Sequence, residues 1–91
     1  MTKSIIQKDM GKCFLCGNTQ NLEVHHCIHG TANRKKADKY GLVVRLCHQH
    51  HYIVHNQDSA LDMALKKEAQ RAFEKLYGHF KFMEVFGINY L

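Results

Sequence analysis

Leu42-Val43-Val44-Arg45-Leu46-Cys47-His48-Gln49-His50-His51-Tyr52-Ile53-Val54-His55 changes its period halfway along. Leu42 to Leu46 is apolar and partly β-branched, which fits a strand. From Cys47 onward helical spacing takes over. Cys47 and His50 are three apart and His51 and His55 four apart, so each pair shares a helix face, but the two pairs point in different directions. One helix can therefore serve two metals. Upstream, Leu22-Glu23-Val24-His25-His26-Cys27-Ile28 has the length and residue mix of a first strand able to pair with the second. Between them His29-Gly30-Thr31 is a loop. Thr31 is placed to cap a short basic helix from Ala32 through Tyr40, closed by Gly41 as its left-handed C′ residue.

Working outward, Cys13-Phe14-Leu15-Cys16-Gly17 supplies a CxxC pair some thirty residues ahead of the Cys47-x-x-His50 pair. Two short-range pairs of soft and imidazole ligands fit a closed Cys₃His zinc site made of Cys13, Cys16, Cys47 and His50, with Gly17 in the tight turn after the knuckle. Such a site makes up for a thin core. The chain has 91 residues, one domain's worth, and a domain of that size buries only roughly 60% of its unfolded surface. Cys27 is the spare thiol; its place in an alternating strand suits the apolar core.

Four Cys and eight His stand on a chain with 13 Lys plus Arg, 8 Asp plus Glu and a formal net charge of +5. That balance favours a phosphate-rich partner. With 45% hydrophobic and 23% charged residues the chain is too apolar for a disordered one. It has no run of 18 apolar residues and no signal-peptide core, so the expectation is a cytoplasmic protein with reduced thiols and no membrane contact. A short strand is expected at Ser4 to Gln7. Ser59 is expected to cap a helix with Asp62 in its first turn, whose buried stripe is Leu61, Leu65, Ala69, Ala72, Phe73 and Leu76 and whose Lys66, Lys67, Arg71 and Lys75 face water. Gly78 stops it. The aromatic tail from His79 to Leu91 repeats at helical spacing and suits a core or dimer face better than a base-stacking platform.

CxxC, then His-His on a strand, then Leu-Cys-x-x-His-His-x-x-x-His entering a helix resembles the HNH family of ββα-metal nucleases, in its zinc-knuckle branch. The resemblance covers most of Cys13 to Asn56. Gly30-Thr31-Ala32-Asn33-Arg34-Lys35 and the ending Phe86-Gly87-Ile88-Asn89-Tyr90-Leu91 further resemble small HNH proteins encoded by bacteriophages. The fold so implied is α+β: a small ββα-metal core with a Cys₃His zinc knuckle over about residues 10–57, an inserted short helix, and a C-terminal helical extension over about 58–91, the whole of 1–91 being one domain.

The resemblance implies that His25, His51 and His55 hold one catalytic divalent metal (Mg²⁺, Mn²⁺, Ni²⁺ or Zn²⁺) beside the structural Zn²⁺. It makes His26 the general base. Adjacent strand residues point to opposite sides, which suits that division, and an imidazole near its ordinary pKa of roughly 6.5 can accept a proton from water. The chain departs from the family pattern in having no Asn just before Leu46-Cys47; Asn33 is the substitute considered for orienting His26, against a plain helix-start residue. Arg34 is either a phosphate clamp or a solvated charge. With Lys35, Lys36 and Lys39 it forms the expected nucleic-acid face. His29 is placed to touch DNA or metal, His48 to sit on the outer face of its helix, and His79 lies outside the motif. The implied activity is hydrolysis of DNA phosphodiester bonds by nicking, leaving 5′-phosphate ends. RNA is not distinguished by this chemistry, and a homodimer or a phage or host protein partner is compatible with it. The competing readings are a non-catalytic DNA-binding zinc module and a phage interaction protein.

Overall fold

The computed structural model describes residues 3–91. It is a small α+β fold of one two-stranded sheet and four helices, in the order β1 (Leu22–His26), α1 (Thr31–Tyr40), β2 (Val43–Cys47), α2 (His48–Asn56), α3 (Ser59–Tyr77) and α4 (His79–Phe86). The strands are antiparallel, with Val24 opposite Arg45, His25 opposite Val44 and His26 opposite Val43. Placing α1 between the strands lets an antiparallel pair form without a tight hairpin, and Gly41 at φ 74° makes the turn back into β2. A Cβ on Gly41 would lie 2.6 Å from the Lys3 carbonyl oxygen, so both the backbone angle and the space require glycine here.

Several local expectations are corrected. Ser4 to Gln7 is not a strand. The Ser4 hydroxyl accepts from the Ile6 and Gln7 N–H groups at 3.0 and 2.9 Å and donates to the Val43 carbonyl, a local turn that outcompetes extension. Gln7 is the plug: its amide donates to the Asp9 and Lys12 carbonyls, both at 2.7 Å, and accepts from Arg45 N–H at 2.8 Å. Thr31 is the first residue of α1 rather than its cap; Gly30 at φ 101° precedes it and no side chain caps the helix. On α3 the cap is Asp58, not Ser59: its Oδ1 accepts from Leu61 N–H at 2.9 Å, while Ser59 is the first helical residue.

The core runs from the sheet into the C-terminal helices. Phe73 is fully buried, with ring centroids 5.0 Å from Tyr40, 5.4 Å from Phe82 and 5.8 Å from Phe86. In the α3 stripe Leu65, Ala69 and Phe73 are buried as expected, while Leu61 and Ala72 are half-buried. Leu76 is exposed, and Gln70 is fully buried in its stead, because α4 folds back on α3 and shifts the covered face. Gln70 can be buried since its amide is satisfied: it donates to Glu74 and Asn89 and accepts from Tyr90 N–H, each at 2.7 Å. Lys66 does not simply face water; it pairs with Asp62 at 3.0 Å and lies over the Tyr90 ring. In the tail Phe82 and Phe86 are buried while Phe80 is exposed. Among the described residues no helix is long and apolar enough to cross a membrane.

Candidate metal centres and the groove beside them

The knuckle is built by backbone hydrogen bonds. Cys13 N–H donates to Asn18 O at 2.7 Å, and Gly17 N–H, at φ 78°, donates to Cys13 O at 2.9 Å. Phe14 N–H donates to Arg45 O at 2.7 Å, which docks the loop on the end of β2, where Cys47 leads into α2. The result brings Cys13, Cys16, Cys47 and His50 together, every ligand atom within 4.8 Å of the others. Cys16 Sγ and Cys47 Sγ are 3.9 Å apart, Cys13 Sγ and His50 Nδ1 3.8 Å, and Cys47 Sγ and His50 Nδ1 3.2 Å. A tetrahedral zinc with thiolates at about 2.3 Å has ligand edges of about 3.8 Å. The donor set fits. Burial pushes the Cys13 thiol up, but the backbone N–H groups of Cys47, Cys16 and Leu15 and the Cys16 thiol outweigh it and bring Cys13 down to about 6, favouring thiolate. Cys27 is excluded from this chemistry: it is fully buried and its thiol is pushed up to about 12 by burial.

The second cluster lies across α2. Glu23 and His25 alternate with Val24 and His26 along β1, so they share the face against α2. His25 is fully buried. Its ring centroid is 5.3 Å from that of His51 and 5.1 Å from that of His55, and the three residues each present a nitrogen within 4.8 Å of the others. Neither His25 Nδ1 nor Nε2 has a hydrogen-bond partner. Burial first, then the neighbouring His29, His51 and His55, lower His25 to about 3, so it is a neutral imidazole with a free lone pair, as metal ligation requires. His51 Nδ1 is 2.6 Å from Glu23 Oε1 while its Nε2 is 3.1 Å from His55 Nε2. That is the carboxylate–histidine arrangement that fixes a ligand's tautomer and aims its second nitrogen at a metal.

His26 is not one of this set. Its Nε2 is 2.8 Å from Asp38 Oδ1, and its side chain is 14% exposed. Asn33 stands in the first turn of α1 near Gly30, whereas Asp38, five residues on, reaches His26 on β1. His26 and Asp38 line an open groove of about 900 Å³ together with His51, His55, Arg34 and Lys35. Lys36 and Lys39, expected on the same face, have other neighbours. Lys36 Nζ donates to Val85 O at 2.8 Å and Lys39 lies 5.5 Å over the Tyr40 ring.

Three participants escaped the sequence reading. Glu23 and Asp38 carry no local mark of a role at the site; the spacing of Glu23 two residues before His25 places it on the same strand face. Asp62 lies in the first turn of α3 as expected, and its Oδ1 is also 2.7 Å from His29 Nε2. His48 is on the outer face as expected, 3.0 Å from Glu23 Oε2, and His79 pairs with Glu74 at 2.8 Å. Comparison of the chain with protein-family profiles, curated proteins and solved structures yields no match.

Proposed function

We propose that the protein is a metal-dependent endonuclease of the ββα-metal type, acting on DNA, with Cys13, Cys16, Cys47 and His50 around a structural zinc. The carrying observation is His25: an imidazole wholly buried with both nitrogens unpartnered, facing His51 and His55, is costly in any role that does not give it a partner. His25, His51 and His55 would hold the catalytic divalent ion. When bound, that ion supplies positive charge against the phosphate and the leaving oxygen.

The chain's own residues do the rest. Asp38 accepts the Nε2–H of His26, which fixes the tautomer and leaves Nδ1 as the basic nitrogen. His26 takes the proton of the attacking water at that atom. Asp38 holds the ring and favours the imidazolium that follows. Arg34 and Lys35, which line the same groove from α1, bind the backbone phosphate and hold it against the reacting water. One such site cuts one strand, so nicking is the elementary act.

The test is incubation of supercoiled plasmid with the purified protein in EDTA, Mg²⁺, Mn²⁺ or Ni²⁺, with His26→Ala alongside. Metal-dependent conversion to open circles by the wild type and none by a folded His26→Ala protein is expected. DNA retarded by both proteins but cut by neither would replace the nuclease with a DNA-binding zinc module.

A further inference from the structure

His25 has two orphaned nitrogens, and one ion can take only one of them. The second nitrogen also sits in full burial, beyond the reach of bulk water. A second group of ligand atoms meets at the same ring: His25, His29 and Asp62 each present a donor within 4.8 Å of the others. His29 comes from the β1–α1 loop, its ring centroid 5.2 Å from that of His25. Asp62 comes from the first turn of α3, in the C-terminal extension. His29 and Asp62 are in reach of each other at 2.7 Å, and both are only partly exposed, at 31% and 19% of their side chains. Asp62 Oδ2 is braced by Lys66 at 3.0 Å, which leaves Oδ1 as the oxygen turned toward the histidines.

We infer that His25, His29 and Asp62 form a second cation seat that shares His25 with the His25–His51–His55 set, so that the histidine cluster holds two divalent ions. The donor set of two imidazoles and one carboxylate suits zinc or another first-row divalent metal. With both seats filled, His25 would donate through both ring nitrogens, with release of its N–H proton. The contact between His29 Nε2 and Asp62 Oδ1 would give way to ligation by the two residues. The seat joins three separate elements, β1, the loop after it and α3, so its ion ties the C-terminal extension to the sheet.

This inference rests on metal binding by His25, and the experiment separates its failure from the failure of that reading. The untagged full chain is saturated with Zn²⁺, freed of loose metal by gel filtration, and its zinc is counted by elemental analysis. Three ions per chain are expected, one for each ligand group. Asp62→Ala and His29→Ala should each bind two, His55→Ala two, and His25→Ala only the thiolate-bound one. Cobalt loading supplies the folding control, since an intact Cys₃His centre gives intense thiolate-to-cobalt absorption in every variant. A wild-type count of two that Asp62→Ala and His29→Ala leave unchanged overturns the second seat alone. A wild-type count of one overturns it together with the proposed catalytic metal.

Discussion

Replacing His25 by leucine should stabilise the protein when metal is scarce and weaken it relative to wild type when metal is abundant. In the folded chain the His25 ring is fully buried and both its nitrogens lack partners. Leaving one buried polar group unsatisfied costs about 1–3 kcal/mol, whereas an apolar side chain of similar size carries no such cost. With some loss to imperfect packing among the neighbouring imidazoles, His25→Leu should gain about 2 kcal/mol. For a domain of this length that is roughly 8–16 °C in Tm. The assay is thermal unfolding followed by circular dichroism, with each protein given one equivalent of zinc, which the thiolate set takes first. Excess divalent metal is then added. Wild type gains about 4 kcal/mol when free metal exceeds Kd a thousandfold, and the variant gains nothing at this site, so the order of the two Tm values inverts. A leucine variant less stable than wild type in metal-poor conditions, or an order that survives excess metal, would refute the reasoning that His25 is a buried, unpaired ligand.

Other expectations follow from neighbouring residues. Cys16→Ser should remove a ligand from the Cys₃His set and with it most of the folding free energy that zinc supplies, so its cooperative thermal transition should vanish; a wild-type Tm in the presence of EDTA would contradict this. Lys35→Ala should lower the salt slope of DNA binding by about one, since Lys35 lines the groove, while Lys36→Ala should leave it unchanged because Lys36 is engaged by Val85 O. Equal slopes for the two variants would move the DNA off this groove. In metal-poor protein, His25 sits at about 3 when folded and near its ordinary 6.5 when unfolded. The unfolded chain therefore binds the proton first, and stability present above pH 6.5 is lost as pH falls toward 3. The loss should be about 2 kcal/mol at pH 5, read from urea midpoints, and absent in His25→Leu.

Much of the candidate site was legible because its ligands come in short-range pairs. Cys13 with Cys16, Cys47 with His50, and His51 with His55 are spaced by a tight turn or one helical turn, and local geometry alone puts each pair on one face. The switch from strand to helix at Cys47 and the αL turn at Gly41 likewise follow from period and from glycine's freedom at positive φ. The sequence was weaker wherever two local solutions compete within a residue or two, as at Thr31 and Ser59, where the expected caps gave way to Gly30 and Asp58.

The remaining features belong to tertiary structure. Leu76 and Gln70 exchange places between surface and core because α4 folds over α3, a choice the helical stripe of α3 does not contain. Asp38 reaches His26 across twelve residues, Glu23 reaches His51 across 28 and Asp62 reaches His29 across 33. A carboxylate carries no local mark of which histidine it will meet. The sequence by itself therefore determined which residues can bind metal and how each pair is spaced, since those depend on backbone period. Tertiary structure decided which acids lie against the histidines, which cations line the groove, and that one buried imidazole belongs to two groups of potential metal ligands, since those depend on how elements distant in the chain are packed.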